Sequence, residues 1–170
     1  NPLELAVAPS LVAVLMPLVA RVRRMFDLDA RPDVIGRVLS RDPMPAPLVA
    51  AQPGLRVPGA IDGFEAAVRA MLGQQVSVAA AMTLAGRFAA AFGKPLDGDE
   101  HVRVRFPAAR EVAKQSIDAI AKIGLPGARA AAVHALACAV ANGTLKLDAR
   151  DLDGFVAAAC EMPGNGPWAA

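Results

Sequence analysis

The chain contains only two cysteines and two histidines in 170 residues. Two thiols cannot build a disulfide framework or hold an iron–sulfur cluster. Cys138 and Cys160 both fall in helical stretches, where the expected role is that of a small buried hydrophobe. His101 and His134 have no partners at ligand spacing, so a metal site made of side chains is not expected. Charge imbalance is small as well: 18 Lys and Arg against 16 Asp and Glu leave a net +2. That is too little to argue for nucleic acid by itself, so any such claim must rest on motif. Long apolar runs are missing. The longest, residues 11–20, is stopped by Arg21, Arg23 and Arg24, short of the ~20 residues that cross a bilayer. The N-terminus reads Asn1-Pro2-Leu3-Glu4, with no Met, no basic head and no cleavage signature. No targeting segment is expected there, which makes the cytoplasm the expected location.

What the chain does have is a core-forming composition, 55% hydrophobic and 20% charged, and enough length for one good-sized domain or one domain plus part of another. Its mean hydropathy of +0.38 owes much to alanine. The opening Leu3-Glu4-Leu5-Ala6-Val7 alternates like a strand with one buried face. Pro9-Ser10 then begins a helix expected to reach about Phe26, with Leu11, Leu15, Leu18, Val19 and Val22 on one side. One strand needs neighbours, so residues 1–30 read as the end of an α+β domain. A short helix over residues 33–40 leads into Pro43, Pro45, Pro47, Pro53 and Pro58, and this spacing predicts an extended strap; residues 31–60 thus form a helix and a proline-rich connector.

Residues 61–170 read as a helical domain. Asp62 followed by Glu65 makes a capping-box-like start, Phe64, Val68, Met71 and Leu72 line one face, and Glu65–Arg69 pairs across one turn. Gly73 ends this helix, Gln74-Gln75 turns the chain, and Ser77 caps the next helix, expected to end at Phe92 before Gly93. A polar loop follows over residues 96–106. Further helices are expected at 108–115, 117–123, 126–141 and 152–161.

The last helix runs into Met162-Pro163-Gly164-Asn165-Gly166-Pro167, with Trp168 immediately after. Two glycines one residue apart let a backbone turn tightly and bring its amides to an anion. From residues alone, this is either a hairpin that grips a nucleic-acid phosphate or an ordinary corner between helices. Leu125-Pro126-Gly127 begins in the same way but lacks the second glycine; proline at a first helical turn accounts for it.

A second stretch favours the first of those readings. Pro53-Gly54-Leu55-Arg56-Val57-Pro58-Gly59, then Asp62, Phe64-Glu65 and Arg69-Ala70-Met71-Leu72-Gly73-Gln74-Gln75-Val76-Ser77-Val78, resembles the AlkA-type DNA-3-methyladenine glycosylase II family of the helix-hairpin-helix superfamily. Arg24-Met25-Phe26-Asp27-Leu28-Asp29 is similar to the end of that family's N-terminal domain, and Phe106-Pro107, Leu125-Pro126 and Pro163-Gly164-x-Gly166-x-Trp168 follow in matching order. The resemblance covers nearly the whole chain. It implies a mainly α fold, an incomplete helix-hairpin-helix glycosylase preceded by the tail of an α+β domain.

The resemblance also implies an activity. The family excises alkylated bases from double-stranded DNA by flipping the nucleotide and hydrolysing its glycosidic bond, the first step of base-excision repair. Alkylated purines are cationic, so an aromatic face binds them by stacking and cation–π attraction; Trp168 matches that position. Gln74, Gln75, Val76 and Ser77 match the loop that enters the minor groove, with Gln75 as the wedge that fills the gap. Pro163, Gly164, Asn165 and Gly166 match the phosphate hairpin. Family members hold a monovalent cation, Na or K, through carbonyls that correspond to those of Cys160, Met162 and Gly164; no other cofactor is implied.

Relatives that cut the strand carry a lysine where Trp168 stands, and the Schiff base of that reaction needs an amine. A monofunctional glycosylase using water is therefore implied, in a bacterial, nucleoid-associated setting and as a monomer, with no membrane partner. Two departures matter. Asn165 replaces a usual Ile or Val between the hairpin's helices. The family's catalytic aspartate falls after Ala170, since Asp148, Asp151, Asp153 and Glu161 all precede the hairpin. Residues 1–170 as written read as truncated, and are expected to bind DNA weakly and to release no base. The rival expectations are a non-catalytic helix-hairpin-helix DNA-binding fragment and a helical interaction module whose glycines serve packing alone.

Overall fold

The structure, a computed structural model, describes residues 3–97, 102–147 and 152–161. It is mainly helical and divides into two compact units, Asn1–Ile61 and Asp62–Ala170.

In the first unit a 3₁₀ turn, Pro9–Val14, runs into helix α1, Leu15–Met25, followed by α2, Pro32–Leu39, and α3, Ala46–Ala51. On the side that the spacing predicts to be apolar, Leu15, Leu18, Val19 and Val22 are half-buried, whereas Leu11 falls in the 3₁₀ turn before α1 and is exposed. Two expectations are corrected. Residues 3–7 do not form a strand: they have no ladder partner, and an isolated alternating segment has nothing to pair with. The proline-rich connector is not simply extended, because Pro45 and Pro47 sit at the start of α3, where a missing N–H costs nothing and the fixed φ suits a first turn.

Among the described residues of this unit none is fully buried, so polar contacts carry much of its definition. Arg56 donates from Nη1 to the carbonyl of Asp27 and, at 3.4 Å, to that of Ala30. The Val57 N–H donates to Asp27 Oδ2 at 3.2 Å, and the Gly59 N–H to the Met25 carbonyl at 2.9 Å. A Cβ at Gly59 would lie 2.9 Å from the Arg24 carbonyl oxygen, which is why glycine stands there.

The second unit is built on α4, Gly63–Gly73, and α5, Val78–Phe92. A two-residue antiparallel ribbon follows, β1, Lys94–Pro95, with β2, Val104–Arg105. Helices α6, Ala109–Val112, α7, Ile117–Ala121, α8, Gly127–Ala141, and α9, Leu152–Cys160, complete it. The start of α4 forms as its sequence requires: Asp62 Oδ1 accepts from the Glu65 N–H at 2.9 Å, and Glu65 pairs with Arg69 at 2.7 Å. Phe64, Val68, Met71 and Leu72 are all buried. Helix α8 packs against α4, α6 and α7 through its small and branched residues Ala130, Val133, Leu136 and Ala137; its alanines permit this close approach from several sides. Each fully buried Val, Leu, Ile or Phe here stabilises the fold by roughly 1.5–3 kcal/mol.

Phe88 is the largest fully buried side chain. It meets Phe92 edge-on at 5.1 Å and stacks on Phe106 at 5.5 Å, while the Arg69 guanidinium lies 5.5 Å from the Phe106 ring centre. The ribbon places two cations opposite each other, Lys94 and Arg105. Glu111 resolves that repulsion: its carboxylate accepts from Lys94 Nζ and Arg105 Nη2, both at 3.0 Å, and from the Ala108 N–H at 2.7 Å. One acid thus ties both strands to the start of α6.

Candidate nucleic-acid interface

The turn between α4 and α5 is the best-defined part of the expected site. Gly73 is the last residue of α4, and the Gln74 N–H closes the turn on the Met71 carbonyl at 3.4 Å. The backbone then reverses at Gln75, whose φ of +56° lies in the left-handed region. Such a conformation is uncommon for a residue with a Cβ and long side chain. Ser77 Oγ accepts from the Ala80 N–H at 3.3 Å and starts α5. Because α4 and α5 pack on each other, both ends of this short turn are fixed by the core.

Gln74 is half-buried, whereas Gln75, Val76 and Ser77 are exposed. The tip therefore offers an amide and a hydroxyl to an approaching surface. Beside it, Val78 and Met82 on α5 are 78% and 70% exposed, and a cleft of roughly 250 Å³ is lined by Arg69, Gly73, Val76, Val78, Ala81, Met82 and Ala85. Arg69 is held by Glu65 and Phe106, so it is a wall of this cleft with its charge already partnered. The apolar exposure at Val78 and Met82 was not anticipated from the sequence; its signal was two large hydrophobes one helical turn apart at the start of α5.

The second half of the expected site is reached but not described. Helix α9 ends at Cys160, which is half-buried, and the Glu161 N–H still donates to the Ala157 carbonyl at 3.2 Å. Met162, Pro163, Gly164, Asn165, Gly166 and Trp168 lie outside the described residues, as does His101.

Two acids away from the α4–α5 turn are held below the ordinary carboxylate range by hydrogen bonds and ion pairs. Glu111 is pulled down to about 2, first by the Ala108 N–H and then by Lys94, and Asp33 is lowered by Arg31. Among the described residues there is no group of three or more His, Cys, Asp or Glu that could hold a metal ion, and no helix long and apolar enough to cross a membrane.

Residues 1–62 match the AlkA N-terminal domain family. Over 169 residues the chain is 37% identical to DNA-3-methyladenine glycosylase 2 of Escherichia coli strain K12, covering 99% of this chain and 57% of the relative. This chain is similar in sequence to AlkA-type DNA-3-methyladenine glycosylases. It is also 41% identical over 159 residues to a probable bifunctional transcriptional activator/DNA repair enzyme AlkA of Mycobacterium tuberculosis strain H37Rv, covering 92% of this chain and 31% of that protein. The chain thus spans less than two thirds of the length of either relative.

The fold is similar to that of solved DNA glycosylases. The 3-methyladenine DNA glycosylase of Archaeoglobus fulgidus matches 98% of this chain and 56% of its own with a TM-score of 0.71 at 16% identity. The apo 8-oxoguanine glycosylase/lyase of Clostridium acetobutylicum matches 96% and 56% with a TM-score of 0.75 at 18% identity. The two stretches that carried the AlkA-type resemblance in the first unit, residues 24–29 and 53–59, are the ones joined by the Arg56, Val57 and Gly59 hydrogen bonds. Their pairing is a packing requirement of the fold.

Proposed function

We propose that this chain serves the repair of alkylated DNA as the DNA-binding part of a monofunctional glycosylase, an enzyme that flips a damaged base and hydrolyses its N-glycosidic bond. The observation that carries the proposal is Gln75: an exposed amide on a left-handed residue, at the tip of a turn whose two flanking helices are core-packed. A wedge must be held rigidly while it replaces a base in the stack, and a strained tip on a fixed base suits that task. Glutamine fills the gap and hydrogen-bonds the orphaned partner base.

In this reading Gly164, Asn165 and Gly166 would present backbone N–H groups to a phosphate, and Pro163, which has no N–H, would fix the start of the hairpin. The carbonyls of Cys160, Met162 and Gly164 would hold a Na or K ion that bridges to the same strand. Trp168 offers its indole face to the cationic alkylated base, where stacking and charge–quadrupole attraction favour it over a neutral base. With tryptophan at that position there is no amine for a Schiff base, so strand cleavage is not part of the reaction. No acid within residues 1–170 takes the family's aspartate position. Residues 1–170 assayed alone therefore bind duplex DNA and leave the damaged base in place.

Binding of a fluorescent duplex by residues 1–170, measured across salt concentrations, tests the first half. Affinity that falls steeply with salt is expected, as several phosphates are neutralised together. A glycosylase assay on methylated DNA tests the second half. Enzyme-dependent release of base by residues 1–170 would overturn the assignment of the missing acid; absence of any DNA binding would overturn the proposal as a whole.

A further inference from the structure

The first half of α5 is exposed and uncharged. Residues 70–86 contain no charged side chain, although Val78 and Met82 are 78% and 70% exposed and Val76 is exposed as well. The hydroxyl of Thr83, also exposed on this stretch, donates to the Ala79 carbonyl at 2.9 Å and so serves its own helix. Val76, Val78 and Met82 line one cleft, and the single cation in its wall, Arg69, is already paired with Glu65.

This apolar face continues the Gln75 tip. Val76 is the next residue, Val78 lies at most ~11 Å along the chain, and Met82 follows ~6 Å further up the helix. A minor groove ~6 Å wide admits a side chain, whereas a helix is ~10 Å across. When the tip enters, the start of α5 is therefore stopped against the groove walls. Those walls are sugar edges, with the phosphates outside them. A phosphate calls for a free cation, and the cation of this cleft is taken. A deoxyribose edge presents C–H groups, which apolar side chains cover without leaving a polar group unpaired. A ribose presents its 2′-hydroxyl there instead.

We propose that Val76, Val78 and Met82 form a shelf for the deoxyriboses beside the flipped nucleotide, and that Val78 and Met82 thereby select DNA over RNA. A 2′-hydroxyl pressed against them has no partner. The inference rests on the reading of the Gln75 turn as the minor-groove wedge.

The test uses residues 1–170 at one salt concentration and fluorescent duplexes that carry a stable abasic-site analogue. The nucleotides on either side of it bear deoxyribose, ribose or 2′-fluoro sugars. Ribose is expected to weaken binding by about fivefold or more, the cost of stripping water from hydroxyls left unpaired. The 2′-fluoro sugar has a ribose-like pucker without the hydroxyl donor and should bind nearly as deoxyribose does. Val78→Thr with Met82→Gln supplies partners at two exposed positions, and the ribose penalty should shrink to about twofold, with urea unfolding unchanged. Equal affinity of the wild-type chain for ribose and deoxyribose overturns the proposal, as does an equally large penalty with 2′-fluoro; both readings hold whether or not the double variant folds. A ribose penalty unchanged in the folded double variant also overturns it. Gln75→Gly separates this inference from the one beneath it. Weaker binding of that variant together with no ribose penalty in wild type removes the shelf alone, whereas unchanged binding removes the wedge and the shelf with it.

Discussion

Replacing Gln75 by glycine should make the second unit more stable and its DNA binding weaker. The φ of +56° at this position costs an ordinary L-residue roughly 1–2 kcal/mol relative to the right-handed region. Glycine escapes that cost but loses more backbone freedom on folding, about 0.5–1 kcal/mol. Among the described residues no hydrogen bond holds the exposed Gln75 side chain, so its removal leaves no buried group unpaired. The balance is a gain of about 0.5–1 kcal/mol, or about 2–6 °C in Tm for a unit of this size. On DNA the variant loses the amide that replaces the flipped base, and one net hydrogen bond corresponds to about three- to tenfold in affinity. Urea unfolding and duplex binding at one fixed salt concentration measure the two effects. Gln75→Asn, which tolerates left-handed backbone and keeps a shorter amide, should match glycine in stability and fall between the two in binding. Loss of more than about 1 kcal/mol in the glycine variant would show that the turn is not strained. Unchanged binding would show that Gln75 is not the wedge.

Other perturbations test the frame around that turn. Gly93→Ala would place a Cβ 2.3 Å from the Arg105 carbonyl oxygen and 2.5 Å from that of Ala89; backbone must move, and a loss of about 3 kcal/mol in urea unfolding is expected. Arg56→Ala removes the guanidinium from the Asp27 and Ala30 carbonyls. It should lower the stability of the first unit by about 2 kcal/mol, seen as faster proteolysis confined to residues 1–61. Glu111 has a folded carboxyl near 2 against an ordinary 4.5, so its contribution is fully present above pH 4.5 and is lost as pH falls from about 4.5 towards about 2. Glu111→Gln should remove that slope, so stability curves of wild type and variant measured against pH should converge in acid and separate above pH 5.

The site was legible where its causes are local. Gly73, the paired glutamines and Ser77 mark a turn between two helices because helix ends have few chemical solutions. The left-handed backbone at Gln75 was not legible, since nothing in its residue type asks for it; the packing of α4 on α5 imposes it. Hairpin residues 163–166 and Trp168 lie outside the described residues, and their roles rest on the resemblance and the proposal built on it.

By itself the sequence determined the helix starts at Asp62 and Ser77, the buried face of Phe64, Val68, Met71 and Leu72, and the mainly α character. Each depends on contacts within one or two turns. Only tertiary structure decided that residues 3–7 stay irregular, that residues 46–51 coil into a helix, that Arg56 clamps a turn 29 residues earlier in the chain, and that Glu111 joins two strands to a helix. Those outcomes depend on which distant segment arrives to pair, to shield a charge or to constrain a backbone angle, and no local pattern carries that information.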